Sequence, residues 1–278
     1  QGDKIYYIRE DYATGQNLAW FANIDIMSSL LVNDTARINI AFDKIKQEIY
    51  LSEEEGIQYD FAFHQHGPHL YSGGYGRGFS SNMAWFVYLA SQTDYAFSDQ
   101  KVNILVAYIL DGQRWMTYNG KFSYNVIGRS IAERSPGGIS PIKKACEYLL
   151  NLEHHRRDEL VAYLNELQQS GRGTELTGNK YFWSSDFMVQ RRSNYFISLK
   201  MASKRMIGSE SGNGYNLKGY YLGHGNYFIK RTGNEYQDIF PVWNWRQLPG
   251  HICQQTDEPL PLIEWGKGAR GGKSFVGG

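Results

Sequence analysis

The sequence predicts an α+β chain: part of an (α/α) toroid, then the start of an antiparallel β-sandwich. Three observations carry that expectation. Up to residue 170 apolar residues recur at helical spacing, whereas beyond it no helix-period segment is found and residues alternate with period two. Between the two regimes, Ser170-Gly171-Arg172-Gly173-Thr174 is a polar, Gly-rich break. It divides the chain into a helical portion, 1–170, that carries the functional loops, and a β portion, 171–278.

In the first portion, Asn17 to Val32 carries Leu18, Phe21, Ala22, Ile24, Leu30 and Leu31 on a broad apolar face. Ile38, Phe42, Ile45 and Ile49 then step by four, three and four, a second helix stripe. Glu53-Glu54-Glu55-Gly56 closes the pair and reads as a solvated charge run. Ser80-Ser81-Asn82 offers an N-cap for a helix from Met83 to Ala90, and another helix over Lys101 to Leu110 ends at Asp111-Gly112. Tyr118 to Gly138 is irregular, and two further helices are expected around Pro141–Leu152 and Arg156–Gln168. Paired antiparallel helices with loops gathered at one end suggest a toroid or partial barrel.

In the second portion, Tyr195, Ile197, Leu199 and Met201 alternate with Phe196, Ser198, Lys200 and Ala202, the pattern of a strand. Tyr220-Tyr221-Leu222 and Tyr227-Phe228-Ile229 are further short strands, and Ser274-Phe275-Val276 looks like another. These are too few for a sandwich, so the sequence is expected to be a fragment of a longer protein.

Bulk properties narrow the function. A formal net charge of +1 over 278 residues gives no overall field, which argues against nucleic acid as a partner while allowing a local basic groove. Aromatic residues make up 15%, with 21 Tyr and 7 Trp, and planar side chains that stack on sugar faces lean the composition towards carbohydrate. Cys146 and Cys253 form neither a disulfide framework nor a zinc or redox spacing. No apolar run reaches the length of a membrane helix, so no membrane partner is expected. Gln1-Gly2-Asp3-Lys4 is not a signal peptide.

Chemistry concentrates in Phe63-His64-Gln65-His66-Gly67-Pro68-His69-Leu70-Tyr71-Ser72-Gly73-Gly74-Tyr75-Gly76. Imidazole and phenol move protons, and Gly lets a substrate approach closely. Each candidate has a bland alternative. His66 can be a structural hydrogen-bonder, Asn17 an N-cap, Arg129 a surface arginine, and Glu210 a solvated turn carboxylate in Ser209-Glu210-Ser211-Gly212-Asn213-Gly214. His64, His66 and His69 could be metal ligands, yet no Cys, Asp or Glu lies between His64 and Tyr75 to complete a charged site, so no metal and no cofactor is expected. A phosphate-binding glycine loop and a G-x-S-x-G elbow are both missing.

Taken together, His66-Gly67-Pro68 with Tyr75 nine positions after His66, Gly128-Arg129-Ser130-Ile131, Glu210-Ser211-Gly212-Asn213, and Phe240-Pro241-Val242-Trp243 through Leu248-Pro249-Gly250 resemble polysaccharide lyase family 8. That family contains chondroitin AC, hyaluronate and xanthan lyases. The resemblance implies a lyase that cleaves an acidic, uronate-containing glycosaminoglycan-type polysaccharide by β-elimination. In that chemistry Asn17 and His66 would hold the uronate carboxylate, and Tyr75 would serve as base and then acid. A free phenol loses its proton near pH 10, so a phenol acting as base at neutral pH needs a cation beside it; Arg129 is the sensible one. Glu210 and Asn213 would reach over from the sandwich to orient Arg129, with Arg134, Trp20 and His69 as further substrate contacts. Where the family often shows a second arginine, four residues after the first, this chain has Glu133, with Arg134 one later. The resemblance also implies a secreted or periplasmic monomer. Two other functions compete: a non-catalytic carbohydrate-binding fragment, and an inverting glycoside hydrolase, which needs two opposed carboxylates that the His/Tyr loop does not supply.

Overall fold

A computed structural model describes residues 13–134, 136–168, 175–265, 267–268 and 271–276. Two helices open it: α1 (Gly15–Val32) and α2 (Thr35–Glu48). Leu18, Ala22 and Ile26 of α1 and Ile38, Phe42 and Ile45 of α2 meet at helical spacing. Asp34 caps α2, its side chain accepting from the Arg37 amide at 3.0 Å. Ile24, Leu30 and Leu31, expected on the buried face, are exposed, because α2 and α3 (Tyr75–Ala90) cover only one side of α1.

Between α2 and α3 lies a small sheet of β1 (Leu51–Ser52), β2 (Gly56–Gln58) and β3 (Phe63–His64). The expected helix from Met83 in fact begins eight residues earlier, at Tyr75. Ser80 is therefore inside α3, not at its cap; its hydroxyl donates back to the Gly76 carbonyl at 3.1 Å and to Gln113 at 2.7 Å.

The next helix, α4 (Asp99–Ala107), does not stop at Asp111-Gly112. It runs on through a π-helical turn, Tyr108–Gln113, into the short α5 (Arg114–Met116). The wider turn lets Gly112 pass close to the Phe61 carbonyl, where a Cβ would lie 2.0 Å from that oxygen. The irregular stretch that follows holds the hairpin β4 (Thr117–Tyr118)–β5 (Lys121–Phe122) and two 3₁₀ turns, Tyr124–Val126 and Gly128–Ala132. Helices α6 (Ser140–Leu149) and α7 (Arg157–Gln168) complete the helical part, α6 packing on α3.

The β part is a four-stranded antiparallel sheet in the order β6 (Gly178–Phe182), β7 (Phe187–Arg192), β8 (Tyr195–Lys200), β9 (Asn226–Lys230). Burial alternates along β7, β8 and β9, as period-two patterning requires. Tyr220-Tyr221-Leu222, expected as a strand, is instead a 3₁₀ turn, Tyr220–Gly223. Its geometry follows from packing: a Cβ on Gly223 would fall 1.9 Å from the Gly208 Cα, so the backbone here is pressed against another segment. Ser274-Phe275-Val276 is not a strand either.

One hydrophobic core runs through both parts, from Leu18 and Phe42 to Phe187 and Phe228. Polar ties cross the same boundary. Lys230 Nζ donates to the Phe122 carbonyl at 2.9 Å, Arg191 Nη1 to the Arg114 carbonyl at 2.7 Å, and Ser198 Oγ meets Ser123 Oγ at 2.6 Å. Burial of these cations would be costly without such partners.

Candidate active site

The chain leaves β3 at His64 and turns sharply. His66 has φ +61° and Gly67 φ +80°, so a non-glycine residue is held in the left-handed region. Glu55 supports this turn. Its carboxylate accepts from the Gly67 amide at 2.7 Å, Gln65 Nε2 at 2.6 Å and Thr14 Oγ1 at 2.7 Å. The charge run at residues 53–55 is thus not uniformly solvated: Glu53 and Glu54 are exposed, whereas Glu55 joins the start of α1 to the histidine loop.

Beyond the turn the loop folds over Tyr71, which is fully buried. Glycine is required here by close approach: a Cβ on Gly74 would lie 2.4 Å, and one on Gly128 2.2 Å, from the Tyr71 ring. Gly128 also has φ +54°. The packing brings Arg129 alongside Tyr71, whose hydroxyl accepts from the Arg129 amide at 3.0 Å.

Glu210 gathers the site. It arrives from the β part, is fully buried, and its carboxylate accepts from Tyr71 Oη at 2.8 Å, from His66 Nδ1 at 2.9 Å and from Arg129 Nη1. Burial opposes its ionisation, but the His66 hydrogen bond, the positive fields of His69 and His66 and the Tyr71 hydrogen bond outweigh it and hold the carboxyl at about 2. An ionised Glu210 requires a proton on His66 Nδ1 and leaves Nε2 as the nitrogen that Glu210 does not engage.

The other arm of Arg129 reaches Tyr75, Nη2 donating to the phenol oxygen at 2.5 Å. Tyr75 is the first residue of α3, and its ring centroid lies 4.8 Å from His66 and 5.9 Å from Trp20. His66, Tyr75, Arg129 and Glu210, separated by up to 144 residues, therefore form one contiguous group.

This group borders a cavity of about 530 Å³, lined by Trp20, Tyr75, Arg77, Arg129, Glu133 and Asn213 among others. Asn213 occupies a two-residue turn, Asn213–Gly214 with φ +53° and +79°, closed by hydrogen bonds between Gly212 and Tyr215. Asn17 lies on the first turn of α1, between Gln16 and Trp20, which both line the cavity while Asn17 does not. Arg134 is exposed and faces a neighbouring cavity of about 590 Å³ instead.

His69, expected as a substrate contact, is placed otherwise. It is buried under Tyr71, ring centroids 4.5 Å apart, with Nδ1 3.9 Å from Glu210, and burial lowers its pKa to about 4. It lies under the site and offers no surface to a ligand. The three loop histidines do not converge on a metal: His64 Nε2 meets Ser185 Oγ at 2.8 Å, while His66 turns to Glu210. Among the described residues no group of three His, Cys, Asp or Glu side chains is arranged to hold a metal ion.

Three residues of the site escaped the sequence reading. Tyr71 carries a local signal, a second phenol in the same glycine-rich loop. Glu55 was hidden in an ordinary charge run. Trp265, which stacks on His66 with centroids 5.6 Å apart and lies 5.2 Å from the Arg129 guanidinium carbon, has no spacing that links it to the loop.

Comparison with known proteins places these features in a family. Residues 4–170 match the model of the polysaccharide lyase family 8 N-terminal alpha-helical domain, and residues 177–278 that of the polysaccharide lyase family 8 super-sandwich domain. Chondroitinase-AC of Pedobacter heparinus is 31% identical over 271 residues, covering 95% of this chain and 38% of that protein. Xanthan lyase of Bacillus sp. (strain GL1) is 22% identical over 276 residues, covering 85% and 29%. A solved chondroitinase AC lyase superposes with a TM-score of 0.82 at 27% identity, covering 93% of this chain and 39% of that one. The chondroitin AC lyase of Streptomyces coelicolor A3 shares the fold, with a TM-score of 0.80 at 21% identity, covering 94% and 42%. The chain spans about two fifths or less of the length of these relatives.

Proposed function

Because the chain belongs to polysaccharide lyase family 8, we propose that it carries the catalytic cleft of a lyase that breaks a uronate-containing, glycosaminoglycan-type polysaccharide by β-elimination. The observation that carries this reading is the hydrogen bond from Arg129 Nη2 to the Tyr75 phenol oxygen, at a cavity wall beside His66. A permanent cation sits on the atom that carries negative charge once its proton has gone.

The chemistry balances without water. The Tyr75 phenolate takes the proton from C5 of the uronate. The electron pair forms the C4–C5 double bond, the C4–O bond breaks, and the phenol returns its proton to the leaving oxygen. Charge building on the uronate carboxylate during the first step needs hydrogen-bond donors. His66 is placed to meet that need, its Nδ1 fixed on Glu210 and its Nε2 left for the substrate. Asn17 is the second donor in this proposal; it shares α1 with Gln16 and Trp20, which line the cavity. Asn213 and Trp20, which both line the cavity, would contact the sugar. A polymer substrate lies outside the cytoplasm, so a secreted or periplasmic monomer accompanies this reading.

The hydrolase alternative finds less support, since Glu133 is the one carboxylate among the described residues that line the cavity and no opposed pair is found among them. The product separates the two, because elimination leaves an unsaturated uronate that absorbs ultraviolet light and hydrolysis does not. Tyr75→Phe tests the reading. Removal of one hydroxyl should cut turnover by at least about 10³-fold while leaving polysaccharide affinity within a few-fold. Undiminished production of unsaturated uronate by this variant would remove Tyr75 as the base.

A further inference from the structure

Glu133 stands apart from the group that Glu210 gathers. Its carboxylate accepts from Arg77 Nη2 at 2.7 Å, and Arg77 Nη1 also donates to the Gly138 carbonyl at 2.8 Å. Both side chains line the 530 Å³ cavity, and Glu133 lines the 590 Å³ neighbour as well, so it stands on the ridge between the two. The partners are not equally covered: the Glu133 side chain is 35% exposed and that of Arg77 15%. A sugar in the cavity meets the carboxylate before the guanidinium.

We propose that Glu133, braced by Arg77, is a specificity-determining residue that makes this cavity select uronate polymers carrying no sulfate on the sugar that lies against it. The inference rests on the lyase reading above. A sugar hydroxyl at this point can donate to the carboxylate, a charge-assisted hydrogen bond. A sulfate ester has no proton to give and brings a like charge, so discrimination has both an attractive and a repulsive part. The two cations among the described residues that line this cavity offer the sulfate no relief, and Lys121, Arg134 and Lys218 line the neighbouring cavity beyond the ridge. Arg129 is committed to Glu210 and Tyr75, and Arg77 to Glu133 and the Gly138 carbonyl.

The test compares kcat/KM on the sulfated and desulfated forms of one uronate polymer, followed by ultraviolet absorbance of the unsaturated product. The wild type is expected to prefer the desulfated form. Glu133→Gln removes the repulsion and frees Arg77, and should raise the sulfated-to-desulfated ratio about tenfold at low salt, the gain shrinking at physiological ionic strength. Glu133→Asp keeps the charge and should keep the preference. Arg77→Gln leaves the carboxylate unpaired and should lower the ratio further, and the double variant, with neither the repelling carboxylate nor a freed guanidinium, should lie above the wild-type value and below Glu133→Gln. A ratio that stays within twofold in Glu133→Gln, or that rises equally in Arg77→Gln, overturns the proposal while the lyase reading stands. No unsaturated product from either polymer with the wild type overturns the lyase reading, and this inference with it.

Discussion

Replacing Glu210 by Gln is the most informative single perturbation of the site. The side chain keeps its shape, loses its charge, and turns one acceptor oxygen into a donor. Three donors converge on the wild-type carboxylate, from His66, Tyr71 and Arg129, so an amide must leave at least one of them facing another donor. The cost follows from the carboxyl's own titration. Its pKa falls from the ordinary 4.5 to about 2, so the folded site prefers the ionised form by roughly 3 kcal/mol. That agrees with the ~3–5 kcal/mol lost when one member of a buried ion pair is removed. The sign is that of a depressed acid: the stabilisation is complete above about pH 4.5 and is lost as pH falls towards 2. Thermal unfolding at pH 7 should therefore drop by about 5 °C or more, with the gap to wild type closing in strong acid. Turnover, read as unsaturated uronate, should fall by about 10²-fold or more, because Arg129 is no longer held against Tyr75. A variant that melts within 1 °C of wild type and turns over within threefold would refute the assignment of Glu210 as the centre of the group.

Further outcomes are expected elsewhere. Glu55→Ala removes the acceptor shared by Gly67, Gln65 and Thr14, and should cost about 1–3 kcal/mol in chemical denaturation and slow turnover more than it weakens binding. Gly112→Ala forces a Cβ to within 2.0 Å of the Phe61 carbonyl, so the π-helical turn must shift; a loss of about 1–3 kcal/mol or more should appear in the same measurement. Burial holds His69 at about 4 against an ordinary 6.5, so this group leaves stability flat above pH 6.5 and withdraws on the order of 3 kcal/mol as pH falls to 4. In His69→Gln, urea midpoints measured from pH 7 to pH 4 should decline less steeply than in the wild type.

The sequence made some elements plain and hid others for identifiable reasons. Ile38, Phe42 and Ile45 on α2, and the alternation through Tyr195–Lys200, were legible because burial on one face imposes a period. The start of α3 was not, since Gly76 and Gly78 read as helix breakers. They are tolerated because Tyr108 and Gln16 pack where their side chains would be; a Cβ on Gly76 would lie 2.3 Å from the Tyr108 hydroxyl. Tyr220-Tyr221-Leu222 forms a 3₁₀ turn in place of the expected strand, since three apolar residues are compatible with either. His66, Tyr75 and Arg129 were visible as chemistry in irregular backbone. Glu210 by itself resembled any turn carboxylate, and only the family resemblance singled it out. Nothing local announces partners 81, 139 and 144 residues away.

Those separations have a consequence for how the protein comes alive. The imidazole, phenol and guanidinium all belong to the helical portion, yet the anion that orders two of them and shares the third's phenolic neighbour is delivered by the β portion. Synthesis from the amino end therefore makes the imidazole, phenol and guanidinium before the carboxylate that gathers them, and the group is assembled only when the later-made segment docks.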